Sequence, residues 1–202
     1  MKVLGIVGSP HKEGTTDMLV SEVLRGAGDS GGEVQKINLV DKKIEYCRGC
    51  RECMKDVTIP IGKCAIKDDM SEILEDFREA DHYVMGTPVY MMHVNARMKT
   101  FLERLYPLVR YPDEPGPPYS RRDDGKIKDA VLVITMGAPK EWAEAIAENA
   151  KNAMETVLTL EGVTVADTIF GGQGDPKART IEDQEETLKK TYNAGVKLVK
   201  VK

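Results

Sequence analysis

Val3-Leu4-Gly5-Ile6-Val7-Gly8-Ser9-Pro10-His11-Lys12-Glu13-Gly14-Thr15-Thr16 opens the chain and decides its fold class. The first five of these residues form a continuous apolar run, the pattern of a strand buried on both faces of a parallel sheet. Gly8-Ser9-Pro10 ends the run. From Thr16 to Gly26 the apolar residues return at helical spacing, at Met18, Leu19, Val23 and Leu24. A buried strand that passes through a polar loop into an amphipathic helix is the first half of a β–α unit. The helix start turns backbone N–H groups and the positive end of its dipole toward that loop. Gly8 and Gly14 let the chain come close, and Ser9, Thr15 and Thr16 add hydroxyls suited to a terminal phosphomonoester, with charge from His11 and Lys12. The competing reading makes Ser9 and Thr15 simple caps of the turn and helix. No Gly-Lys-Ser/Thr triplet opens the helix, so this is not a Walker A loop.

The same grammar repeats downstream. Glu33–Leu39 alternates as a strand, His82–Gly86 is a third, Lys128–Met136 a fourth and Val163–Phe170 a fifth. Between them, Asp68 or Asp69 can cap a helix with Met70, Ile73, Leu74 and Phe77 on its apolar side. Val94–Val109 reads as a long helix, followed by helices over 140–160 and 181–200. Residues 111–125 hold four prolines and two glycines and read as a loop. Five β–α units predict an α/β fold: one domain over 1–202, with a doubly wound five-stranded parallel sheet. The flavodoxin-like strand order 2-1-3-4-5 suits five units and binds FMN where the strand order reverses. A Rossmann sheet would want G-x-G-x-x-G after the first strand, which is absent.

Ligands in this architecture sit beyond the carboxyl ends of the strands. After the third strand comes Gly86-Thr87-Pro88-Val89-Tyr90-Met91-Met92-His93-Val94-Asn95, apolar and aromatic with backbone donors, a composition suited to an isoalloxazine ring. Alone it reads as a buried turn; beside a phosphate loop it reads as a flavin site. Met136 and Gly137, after the fourth strand, belong to the third loop of the same rim. His82 reads as structural, Trp142 as helix packing, and the Asp68-Asp69 pair as a helix cap rather than an acid–base dyad.

All four cysteines fall in one short segment, Cys47-x2-Cys50-x2-Cys53-x10-Cys64, within the loop 41–67 that follows the second strand. Three thiolates at three-residue intervals can wrap one face of an iron–sulfur cubane, with a fourth ligand arriving later. Zinc, a disulfide and unligated redox thiols are the alternatives at this point. Pro60 and Gly62 would let the intervening segment double back toward Cys53, and its length makes Cys64 the weakest ligand expected.

Bulk composition excludes several classes. The chain has 202 residues, 41% hydrophobic and 31% charged, with a net charge of −4. No basic stripe offers a nucleic-acid face. No apolar stretch reaches membrane-span length, and the N-terminal run is too short for a signal-peptide core. A cytoplasmic location is expected, where cysteines stay reduced.

Gly8–Thr16, Thr87-Pro88-Val89-Tyr90 and Met98-Lys-Thr-Phe-Leu-Glu-Arg104 together resemble the NADPH-dependent FMN reductase family. With Cys47–Cys64 and Ile66-Lys-Asp-Asp-Met70 added, the chain most resembles its iron–sulfur flavoproteins. The resemblance implies FMN, with Ser9, Thr15 and Thr16 on its phosphate and Pro88, Val89, Tyr90 and Gly137 along the ring; His11, Gly14, Thr87, Met91 and Met136 complete the expected contact set. It implies a [4Fe–4S] cluster on Cys47, Cys50, Cys53 and Cys64, and a homodimer or tetramer that brings cluster and flavin together across subunits. The redox partner would be a small protein such as ferredoxin, or NAD(P)H. A cluster-free NAD(P)H-dependent FMN or quinone reductase, and a non-enzymatic redox-sensing binding protein, are the alternative functions.

Overall fold

The computed structural model describes residues 1–112, 115–122, 125–138, 142–172 and 185–200. In chain order its elements are β1 (Lys2–Val7), α1 (Thr15–Asp29), β2 (Glu33–Asn38), α2 (Met70–Glu79), β3 (His82–Tyr90), β4 (His93–Val94) and α3 (Ala96–Glu103). There follow β5 (Val109–Arg110), β6 (Tyr119–Ser120), β7 (Lys128–Thr135), α4 (Ala143–Leu160), β8 (Val163–Gly171) and α5 (Glu185–Lys200). The main sheet runs β2-β1-β3-β7-β8, and every pairing along that path is parallel. Counted among the long strands, that is the expected order 2-1-3-4-5.

Side chains alternate across each strand, so both faces need a cover. Leu4, Ile6, Tyr83, Met85, Leu132 and Ile134 pack with buried residues of α2, α3 and α4. Val3, Val7, Val84, Val131 and Val133 pack with those of α1 and α5. Burying each such aliphatic side chain is worth about 1.5–3 kcal/mol, which explains why these strands read as unbroken apolar runs. Because β1 has β2 on one side and β3 on the other, the direction of crossover reverses between them. Their carboxyl ends therefore frame a crevice.

Two expected elements change their bounds. The helix read over 94–109 is shorter: Asn95 caps α3 by accepting from the Met98 amide at 3.0 Å, and the helix stops at Glu103. A 3-10 turn, Tyr106–Leu108, follows, because Pro107 lacks an amide donor and disfavours α geometry before it. The third strand extends past Gly86 to Tyr90 and folds back, pairing Val89 with Val94 and Tyr90 with His93. Within the loop 111–125, Tyr119–Ser120 forms β6 and pairs with β5. Residues 113, 114, 123 and 124 of that loop, 140 and 141 of the fourth expected helix and 181–184 of the last lie outside the described residues. Trp142 is 63% exposed at the start of α4, so it does not pack as expected. His82 is buried and structural, its Nδ1 accepting from the Asp129 amide at 3.1 Å.

Glu161, at the end of α4, is buried at 2% exposure and, among the described residues, has only one carboxylate oxygen paired, to Ser120 Oγ at 3.0 Å. Burial pushes its pKa from 4.5 up to about 7, against the pull of Arg122. The folded state therefore keeps a proton that the unfolded chain has already lost. Stability should fall as pH rises from 4.5 towards 7, by up to about 1.4 kcal/mol per unit, and stay high below that window. Urea titrations across this range, compared with Glu161→Gln, check the assignment. A Gln variant with the same slope would remove it.

Candidate functional site

The loop between β1 and α1 leaves the helix start open. Gly14 occupies the N-cap position in an extended conformation and, as a glycine, supplies no side-chain cap to α1. Ser9 is engaged within the loop, accepting from the His11 amide at 3.1 Å. Thr15 lies inside the first turn rather than at the cap, so the simple capping role weighed for it is not used. The first-turn amides are thus available to an anion. Thr16 points inward: its hydroxyl is 2.7 Å from that of Thr135 at the end of β7, and both side chains are buried.

Four strand ends meet here, those of β1, β3, β7 and β8. The Gly8 amide donates to Gly86 at 2.8 Å, and the Met136 amide donates to Gly171 at 3.1 Å. Asn95, which the sequence did not single out, joins two loops: while capping α3 it donates to the Gly8 carbonyl at 2.6 Å. Thr87 is fully buried, whereas Pro88 and Val89 are half-buried and Tyr90 is 46% exposed. Met136 is buried and Gly137 is exposed, with nothing within 4 Å of where a Cβ would stand. His11 is exposed at the outer side of the first loop. The β3–β4 turn places Met91 and Met92 at φ 49° and 63°. That is the conformation of a type I′ turn, which normally selects Asn-Gly. Strain of this kind collects at ligand-binding loops, and here it holds Met91 almost wholly exposed beside the rim.

The cysteine segment makes a second site. Cys47, Cys50, Cys53 and Cys64 all line one cavity of about 260 Å³, together with Arg51, Arg104 and Tyr106. All four thiols are free. Among the described residues, no group of three or more His, Cys, Asp or Glu side chains is placed to hold a single metal ion. Burial, then the neighbouring Cys64 and Cys47, push the Cys53 thiol above its usual range. Gly62 seats against the Cys53 backbone, so the segment doubles back as its Pro60 and Gly62 suggest.

What encloses this cavity escaped sequence reasoning. Arg104 and Asp68 form a buried ion pair, with Nη1 and Nη2 donating to the two carboxylate oxygens at 2.7 and 2.9 Å. Asp68 also accepts from the amides of Glu45 and Met70, so it is an anchor for the cysteine loop more than a helix cap. Burial raises its carboxyl, but the hydrogen bonds from Arg104 and the Glu45 amide outweigh this and hold it below its usual range. Arg121 donates to the carbonyls of Cys53, Asp56, Ile59 and Val109. Lone arginines seldom lie fully buried without partners. The available signal was Arg104 inside a run already singled out, with Asp68 in another.

A flavodoxin-like sheet with an open phosphate-type loop at its switch point defines a flavin-binding α/β protein. The family comparison agrees: the chain belongs to the NADPH-dependent FMN reductase family, whose sequence model matches residues 1–137, and it is a flavin-dependent oxidoreductase of the iron–sulfur flavoprotein kind. An iron–sulfur flavoprotein of Archaeoglobus fulgidus is 32% identical over 98% of this chain and 79% of its own. Another, from Methanocaldococcus jannaschii, is 44% identical over 54% of this chain and 53% of its own. Among solved structures, an NAD(P)H:quinone oxidoreductase from Methanothermobacter marburgensis superposes over 98% of both chains with a TM-score of 0.75 at 20% identity, a likeness of fold. No helix among the described residues is long and apolar enough to cross a membrane.

Proposed function

We propose that this oxidoreductase binds FMN along the loops after β1, β3 and β7 and holds a [4Fe–4S] cluster on Cys47, Cys50, Cys53 and Cys64. It would pass electrons between the two and a redox partner, ferredoxin-like or NAD(P)H, as a homodimer or larger assembly. The observation that carries this reading is that four free thiols, and no other cysteines, line a single cavity. When bound, FMN supplies two-electron and the cluster one-electron chemistry.

The chain's own part is placement. The uncapped amides of α1, with Ser9 and Thr15 alongside, would receive the phosphate, and Gly14 keeps the approach clear. The Thr16 hydroxyl is bonded to that of Thr135, so Thr16 would offer the phosphate its amide rather than its side chain. Pro88, Val89, Tyr90 and Met91 would flank the ring on one side, with Met136 and Gly137 on the other. At the second site the four thiols must lose their protons on ligation.

Full-length protein purified without oxygen should show flavin bands over broad brown iron–sulfur absorption, with FMN released on denaturation and iron in proportion. Clean yellow protein without iron would favour the cluster-free reductase. Colourless protein that takes up neither would overturn the reading.

A further inference from the structure

Arg104 does more than close the cavity wall. Its side chain is 2% exposed and its Nη2 stands 3.7 Å from Cys64 Sγ, while the same nitrogen holds Asp68. Nη1 reaches Asp68 and the Glu45 carbonyl at 2.7 Å each. Its Nε–H is buried with no partner among the described residues. Arg104 therefore bridges the entry of the cysteine segment at Glu45 and its exit at Cys64–Asp68. Arg121 pins the middle of the same segment at Cys53, Asp56 and Ile59. Only an arginine fits the first position: its planar fork meets both carboxylate oxygens and still presents a nitrogen to the sulfur, which a single ammonium does not.

We propose that Arg104 is the positioning residue for Cys64, and that its Nη2 donor favours the more negative, reduced state of a cluster ligated there. This rests on the cluster reading above. Four thiolate ligands make the site anionic, and an electron added to it raises that charge further. Asp68 balances the charge of the guanidinium, so what remains at the sulfur is the Nη2 donor, and donors to cluster sulfurs stabilise the reduced form selectively. The ten-residue gap before Cys64 would otherwise leave this ligand the most mobile of the four, and the bridge to Asp68 removes that freedom.

The test uses full-length protein reconstituted anaerobically with iron and sulfide. Two variants are compared with wild type, Arg104→Lys and the neutral pair Arg104→Gln with Asp68→Asn, which avoids leaving a buried carboxylate alone. Potentiometric titration followed by EPR should show the double variant with its reduced-to-oxidised ratio lowered about tenfold at a given applied potential, or 59 mV for one electron. Arg104→Lys, which keeps a charged donor but not the fork, should hold a near wild-type potential yet lose iron to a chelator at least about tenfold faster while retaining FMN. A purely structural arginine predicts otherwise: altered melting temperature and an unchanged potential in the double variant. That result, or wild-type chelator resistance in Arg104→Lys, overturns the proposal. Should the double variant fail to fold, the chelator rate of Arg104→Lys decides. Wild-type protein that takes up no iron would instead sink the cluster reading itself, and the proposal with it.

Discussion

Gly62→Ala is expected to empty the cysteine site while leaving the sheet intact. A Cβ built on Gly62 would overlap the Cys53 carbonyl oxygen and lie 2.8 Å from its carbon. Neither side can yield easily. The Gly62 amide is held by the Pro107 carbonyl at 2.8 Å, and the Cys53 carbonyl is held by Arg121 at 2.9 Å. Overpacking against backbone costs about 3 kcal/mol, and the cheapest escape is to push Cys53 away from the other three cysteines. The central ligand of the proposed set would then be lost. Iron quantitation after anaerobic reconstitution should find most of the metal gone, with FMN binding and far-UV circular dichroism close to wild type. A variant that retains its full iron and EPR signal would show that the close approach of Gly62 and Cys53 is not needed.

The second large effect is on stability. Helices α1 and α5 touch backbone to backbone through glycine. A Cβ at Gly195 would overlap the Val23 carbonyl oxygen and come within 2.9 Å of the Ala27 amide nitrogen. Gly26, on the facing helix, meets the Tyr192 carbonyl in the same way. Gly195→Ala gains helix propensity of roughly 1 kcal/mol, but it must force two helix backbones apart over a buried seam. The net loss expected is about 3 kcal/mol, and with roughly 2–4 °C per kcal/mol for a chain of this size the melting temperature falls by about 6–12 °C. Calorimetry decides between the two terms. An unchanged or higher melting temperature would mean the seam relaxes freely and propensity wins.

The element order and the strand order were legible because the central strands β1, β3 and β7 are buried on both faces, while the edge strand β2 alternates. Doubly buried strands must be apolar at every position, and the run Val131-Leu132-Val133-Ile134 admits no other reading between polar flanks. The loop after β1 was legible for a related reason: glycine, hydroxyl and helix start are local features three to five residues apart. Local signals also mislead where one residue outweighs a pattern. The apolar spacing after Val94 continues to Val109, yet Pro107 ends the helix early. The stretch after Gly86 looks like a loop, yet it extends β3 and turns back at Met91-Met92 in a conformation those residues disfavour.

From the sequence alone, then, came the sheet, its switch point, the phosphate-type loop and the clustering of the cysteines, all of which depend on neighbours along the chain. Tertiary structure decided the rest. Asp68 and Arg104 are 36 residues apart, and Arg121 and Cys53 are 68 apart, with no spacing rule to connect them. In the sequence Arg104 is one residue inside the helix read over 94–109, and only the folded chain shows it buried, bidentate and beside Cys64. Asp68 reads as a cap because capping is local; its ion pair is not. The sequence does not single out Asn95, whose hold on the Gly8 carbonyl exists only because parallel β1 and β3 lie side by side. Buried polar partners are chosen by what the fold brings within hydrogen-bond reach, and the free energy of leaving such groups unpaired, about 1–3 kcal/mol each, is felt only once water has been excluded.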